Sequence, residues 1–124
     1  MKILVVDDDI MLLKSLHHSL SGIGHNVHTA QDGLKGLDIY NRETDFDLII
    51  SDIMMPDISG FTLLNTVRDV KNKFVPVILI SALDKANEIS SALDMNAEDI
   101  FTKPIDIEKL IAKIQLMEEG KNYK

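Results

Sequence analysis

Short apolar runs alternate along the chain with longer stretches whose apolar residues recur every three or four positions. The runs at residues 3–6, 27–30, 48–51, 77–81 and 100–102 are rich in branched side chains, which predicts five strands. Between and after them, five sets fall at helical spacing: Ile10, Leu13, Leu16, Leu20; Leu34, Leu37, Tyr40; Phe61, Leu64, Val67; Ile89, Leu93; and Ile107, Leu110, Ile111, Ile114. Each set marks the face with which one helix packs on a sheet.

Strict alternation of strand and helix implies a parallel sheet. The nearly all-apolar Ile3-Leu4-Val5-Val6 and Val77-Ile78-Leu79-Ile80 suit central strands covered on both sides. Right-handed crossovers then put helices on both faces of a doubly wound α/β fold. In such folds a ligand binds beyond the carboxyl ends of the strands, where the strand order reverses.

Composition narrows the chemistry. A chain of 124 residues with 45% apolar and 27% charged residues is an ordinary one-domain globular protein. A net charge of −7 argues against a nucleic-acid surface, which needs clustered Lys and Arg. Without cysteine there is no disulfide framework, thiolate metal site or thiol nucleophile. The first apolar run is too short for a signal peptide or a membrane span, so a cytoplasmic protein without membrane contact is expected. Residues 1–118 are expected to form the domain, with 119–124 a polar tail or the start of a linker; Met1, one residue before the first run, suits a natural start.

The strand ends carry the chemistry. The first leads into Asp7-Asp8-Asp9, the third into Asp52, the fourth ends at Ser81 and the fifth leads into Lys103-Pro104. Three successive acids would also suit a solvated turn or a helix N-terminus. Convergence with Asp52 favours a cluster instead. Carboxylates about 5 Å apart at an effective dielectric of about 20 repel by roughly 3 kcal/mol per pair, so such a cluster requires protons or a cation. Hard oxygen ligands suit Mg²⁺ or Mn²⁺, and Mg²⁺ held this way keeps waters and takes phosphate oxygens. A carboxylate can attack phosphorus to give an acyl phosphate if metal, Lys103 and Ser81 neutralise the transferring oxygens.

Four segments in register, Ile3-Leu4-Val5-Val6-Asp7-Asp8-Asp9, Asp52-Ile53-Met54-Met55-Pro56-Asp57-Ile58-Ser59-Gly60, Ile80-Ser81-Ala82 and Ala97-Glu98-Asp99-Ile100-Phe101-Thr102-Lys103-Pro104, carry a resemblance. Over nearly its full length the chain resembles response regulator receiver domains of the CheY-like superfamily. The resemblance implies a flavodoxin-like fold with strand order 2-1-3-4-5. It implies that Asp7, Asp8, Asp52 and the Met54 backbone carbonyl hold Mg²⁺ and that Asp52 accepts phosphate. It further implies that Ser81 and Lys103 bind phosphoryl oxygens, that the Lys103-Pro104 peptide is cis and that Gly60 serves the turn into the third helix. The implied partners are a sensor histidine kinase or histidine phosphotransfer protein as donor, and an unspecified output protein.

The chain departs from its relatives in places. Many carry an aromatic switch residue three positions before the Lys; here that place is Ile100, with Phe101 beside it, so Phe101 or the surface of the fourth predicted helix is expected to carry the readout. Met54 and Leu83 occupy the two places whose side chains tune hydrolysis of the acyl phosphate. Asn96 stands where Gly is common and tolerates the left-handed conformation. His17, His18, His25 and His28 lie away from the carboxylate edge and are expected in surface or packing roles; the Met54-Met55 pair reads as loop and packing.

Three rival readings are weaker. An aspartyl-nucleophile phosphohydrolase would need an acid two residues after Asp52, where Met54 stands. A flavodoxin-like nucleotide binder would need a Gly-rich first turn in place of Asp7-Asp8-Asp9. A scaffold that is never phosphorylated would not need the full acceptor set.

Overall fold

Branched residues in short runs form the strands β1 (Lys2–Val6), β2 (Asn26–Ala30), β3 (Leu48–Asp52), β4 (Val77–Ser81) and β5 (Asp99–Thr102) in a computed structural model of the chain. The structure describes residues 1–43, 45–70, 74–82, 90–92 and 94–122, without the side chains of 69, 70, 121 and 122. All five strands are parallel, in the order β2-β1-β3-β4-β5. The expected doubly wound five-stranded sheet is therefore present. Burial explains which strands are central. β3 and β4 are buried throughout and β1 in all but its first residue, whereas β2 and β5 sit at the edges and are half-exposed.

The pleat sorts alternate strand residues into two cores. Leu4, Val6, Ile49, Val77 and Leu79 face α2 (Gly33–Arg42) and α3 (Gly60–Val70), which contribute Tyr40, Leu63, Leu64 and Val67. Ile3, Val5, Leu48, Ile50, Ile78 and Ile80 face α1 (Ile10–Gly22) and the C-terminal helix Ile107–Asn122, through Leu13, Leu16, Leu20, Leu110 and Ile114. Each fully buried aliphatic side chain contributes roughly 1.5–3 kcal/mol, so these two layers hold the sheet against its helices. No helix of the described residues is long and apolar enough to cross a membrane.

Two expected packing positions differ. Ile10 is 48% exposed and Leu34 is 58% exposed. In α2 the buried face is Gly33, Gly36 and Tyr40. A Cβ at Gly36 would come 2.8 Å from Val6 Cγ2, so the helix backbone itself lies on β1 and Leu34 is rotated outward. The C-terminal helix runs past residue 118 to Asn122. Leu83, Ile89 and Leu93 lie outside the described residues. Asn96 does take the left-handed conformation, at φ 60°, and Ala97 N–H donates to the Ala92 carbonyl beside it at 3.1 Å.

Candidate functional site

Sheet register assembles the site. Val6 pairs with Ser51 across β1 and β3, so the next residues, Asp7 and Asp52, reach the carboxyl edge side by side. Ser81 pairs with Thr102 across β4 and β5, and Lys103 N–H then donates to the Ser81 carbonyl at 2.8 Å. The Lys103-Pro104 peptide is cis. Asp7, Asp8, Asp52, Ser81 and Lys103 thus come from four different strand ends to one edge.

Asp7 is 0% exposed and Asp52 is 4% exposed, while Asp8 is exposed. Carboxylate oxygens of the three lie within 4.8 Å of one another. Lys103 Nζ stands 3.2 Å from Asp52 Oδ2 and 3.3 Å from Asp7 Oδ2. It hydrogen-bonds Asp52 Oδ2 and, at 3.5 Å, Asp7 Oδ1; Asp7 Oδ2 is left with ion-pair proximity but no directed hydrogen bond. Met54 N–H donates to Asp52 Oδ1 at 3.2 Å, and Asp9 N–H donates to Asp7 Oδ1 at 2.8 Å. Ser81 is buried, and its hydroxyl donates to the Ala82 carbonyl at 3.1 Å.

Burial pushes the Asp7 carboxyl up to about 6, helped by the Asp52 charge and opposed by the Asp9 N–H and Lys103. Burial also raises Asp52, with Asp8 adding to the rise and Lys103 and the Met54 N–H opposing it. For Lys103, burial alone would lower the ammonium, but Asp52 and Asp7 outweigh it and hold the group above its ordinary value. One ammonium against three carboxylates leaves an excess of two negative charges. That excess, the hard oxygen donors and the orphaned Asp7 Oδ2 fit a divalent cation.

The acidic triplet divides its labour. Asp9 is the N-cap of α1, accepting from Met11 N–H at 3.1 Å and Leu12 N–H at 3.2 Å, so the ordinary helix-cap reading holds for Asp9 alone. Gly60 serves by close approach and not by left-handed backbone. A Cβ there would come 2.4 Å from the Asp52 carbonyl oxygen and 3.0 Å from Ile53 Cα. The Met54 side chain is 62% exposed. Ile100 packs with the α2–α3 core and Phe101 with the opposite one, as successive residues of a strand must. None of the four histidines belongs to the cluster; His25 is buried, with Nδ1 3.1 Å from the terminal nitrogen of Met1.

Asp57, in the loop after Asp52, makes contacts that sequence reasoning missed. Its carboxylate reaches back 24 residues, accepting from Gly33 N–H at 3.1 Å and Leu34 N–H at 2.8 Å. The Pro56-Asp57 pair marks a turn in the sequence, but nothing there identifies a partner so distant.

A 2-1-3-4-5 parallel sheet thus carries buried aspartates and a lysine on its carboxyl edge. A family model for the response regulator receiver domain matches residues 3–115, and the chain belongs to that family. It is similar to the response regulator MprA of Mycobacterium sp. (strain KMS), 34% identical over 116 residues, which cover 94% of this chain and 50% of that protein. The chain therefore spans about half the length of the curated relatives it matches. Among solved structures it is similar to the chemotaxis response regulator CheY4 of Vibrio cholerae, with TM-score 0.83 and 31% identity over 94% of this chain and 97% of that one. It is also similar to a response regulator receiver domain protein from Clostridium thermocellum, with TM-score 0.89 and 26% identity over 98% and 97% of the two chains. The chain is a receiver domain, a module of two-component signalling.

Proposed function

We propose that Asp52 accepts a phosphoryl group from the phosphohistidine of a sensor histidine kinase or histidine phosphotransfer protein. Asp7, Asp8, Asp52 and the Met54 backbone carbonyl would hold Mg²⁺, or Mn²⁺, for that transfer. The observation that carries this reading is the convergence of three carboxylates within 4.8 Å, with Lys103 Nζ 3.2 Å from the acceptor. When bound, the cation supplies positive charge against the phosphoryl oxygens.

The chain's own groups do the rest. An Asp52 carboxylate oxygen forms the new O–P bond as the P–N bond of phosphohistidine breaks, and the bonding pair returns to the imidazole. Met54 N–H steadies Asp52 Oδ1, so one oxygen is oriented before the donor arrives. Lys103, already charged and beside Asp52 Oδ2, follows the developing charge. Ser81 exchanges its bond to the Ala82 carbonyl for a phosphoryl oxygen. Hydrolysis reverses the state: water attacks phosphorus, the O–P bond to Asp52 breaks, and the carboxylate returns with release of phosphate.

Movement of Ser81 and Lys103 toward the new dianion shifts a two-state equilibrium and changes affinity for an output partner. Residues 1–118 act as the receiver unit, and 119–124 as a tail or linker whose first residues continue the C-terminal helix. The test is labelling by acetyl phosphate with Mg²⁺, followed as a hydroxylamine-sensitive acyl phosphate. The wild type is expected to label and Asp52→Asn, folded by circular dichroism, is not. Undiminished labelling of the variant overturns the assignment.

A further inference from the structure

We infer that Asp57 is a positioning residue for the phosphoryl and metal site: it ties the loop after Asp52 to the N-terminus of α2 and so sets the Met54 backbone. The inference rests on the metal reading given above. α2 already has a local cap, since Asp32 accepts from Lys35 N–H at 2.8 Å. Asp57 adds a second carboxylate from a distant loop, on Gly33 and Leu34 N–H at 3.1 and 2.8 Å. Burial is the largest single influence and pushes this carboxyl up, but the N–H groups of Leu34, Ile58, Gly33 and Asp57 itself together outweigh it and hold the group down to about 2. It therefore stays a charged acceptor wherever the protein works.

The loop is pinned on either side of the Met54 carbonyl. Upstream, Met54 N–H is held by Asp52 Oδ1 at 3.2 Å. Downstream, Asp57 is fixed to α2, and Ile58 lies against Gly33 so closely that a Cβ there would come 2.3 Å from Ile58 Cγ1. Beyond it, Gly60 N–H donates to the Ile53 carbonyl at 2.9 Å and closes the loop on itself. Between the two anchors, Pro56 restricts the backbone further. Without Asp57 the segment loses its downstream tether, and only a fraction of molecules would present the Met54 carbonyl as a ligand. Apparent metal affinity falls by that fraction. By reciprocity, metal binding must strengthen the hold of Asp57 on Gly33 and Leu34.

The experiment titrates Mg²⁺ into the full chain by NMR for the wild type, Asp57→Ala, Asp57→Asn and Asp32→Ala, and measures amide exchange at Gly33 and Leu34. Asp57→Ala is expected to weaken Mg²⁺ binding about fivefold or more, the lower bound of a typical coupling. Asp57→Asn, whose amide oxygen still accepts a hydrogen bond without charge, falls between, and it keeps the test open if the Ala variant fails to fold. Asp32→Ala removes the other cap of the same helix but no tether to the loop, so its affinity stays within about twofold of wild type by the same coupling logic. Mg²⁺ should slow exchange at Gly33 and Leu34 in the wild type and in Asp32→Ala, but not in Asp57→Ala. Equal affinity in wild type and both Asp57 variants overturns the inference, as does an equal loss in Asp32→Ala, which would reduce the effect to helix stability. A wild type that shows no Mg²⁺ response overturns the metal reading itself and this inference with it.

Discussion

Replacing Asp7 with Asn should stabilise the metal-free protein at neutral pH. The Asp7 carboxyl is buried and raised from 3.8 to about 6, so its ionised form is penalised in the folded state. The sign follows from linkage. Below the unfolded value of 3.8 the group is protonated in both states and costs nothing; as pH rises toward 6 the unfolded chain releases its proton first, and stability falls. Above the folded value the full penalty is present, about 3 kcal/mol for a shift of roughly two units. Asp7→Asn removes that ionisation while its amide oxygen can still accept from Asp9 N–H. The shift already contains the attraction of Lys103, but the Asn NH₂ would face that ammonium where Oδ2 stands 3.3 Å from Nζ, which costs some of the gain. The net gain is therefore smaller, about 1–2 kcal/mol, or roughly 3–10 °C in Tm for a domain of this size. Urea unfolding in EDTA at about pH 7.5 and about pH 4 measures it, and the gain should fall to a small fraction at the lower value. Saturating Mg²⁺ should reverse the order, because wild type gains about 2.7 kcal/mol at a hundredfold excess over Kd while the variant binds more weakly. A variant less stable than wild type at neutral pH without metal, or a gain independent of pH, would refute the reasoning.

Gly60→Ala should cost about 1–3 kcal/mol by overpacking and slow phosphorylation of Asp52 together, because its Cβ meets the Asp52 carbonyl at 2.4 Å; a urea midpoint and a labelling rate both unchanged would exclude a close-approach role. Met54→Asn with Leu83→Glu should speed loss of phosphate from phosphorylated protein several-fold, since polar side chains at those places can orient the attacking water that apolar ones exclude; equal or slower release counts against shielding. A beryllofluoride-type phosphoryl mimic should shift amide signals of Phe101 and of its neighbours across residues 82–103, with Leu110 and Ile114 following because Phe101 packs on their side of the sheet; silence there would show that the edge is not coupled to this face.

The fold was legible because β3 and β4 are buried along their whole length and β1 along nearly all of it, and a strand covered on both faces has few residue types open to it. Ile3-Leu4-Val5-Val6 and Val77-Ile78-Leu79-Ile80 have no other comfortable setting. The residues that end parallel strands share one edge, so the pattern alone puts Asp7, Asp52, Ser81 and Lys103 together. What the pattern could not carry were contacts set by backbone and not by side-chain type. The outward turn of Leu34 comes from Gly36 lying on Val6, and glycine enters no apolar periodicity. Asp57 looks in sequence like any turn aspartate, and its partners are amides, which every residue has. The separate roles of Asp8 and Asp9 depend on where α1 begins, a boundary that three identical residues leave unmarked.

The site works against the fold that holds it. Two carboxylates are buried with one ammonium between them, and both are raised by that burial. A scaffold of parallel strands can tolerate this because β1 and β3 are the sheet's interior and their apolar layers are secured on both faces. The repulsion falls at the strand ends, where Asp52 is the last residue of β3 and Asp7 follows β1 directly. There, Asp9 is already engaged in capping α1, Asp57 in holding α2, and Ser81 in a bond to its neighbour's carbonyl. On the reading proposed above, a cation or a phosphoryl group would enter where repulsion is greatest, among groups that already hold other partners. Relief of the repulsion and rearrangement of those partners would then be one event, and that coupling would carry the proposed chemistry at Asp52 to α1, α2 and β5.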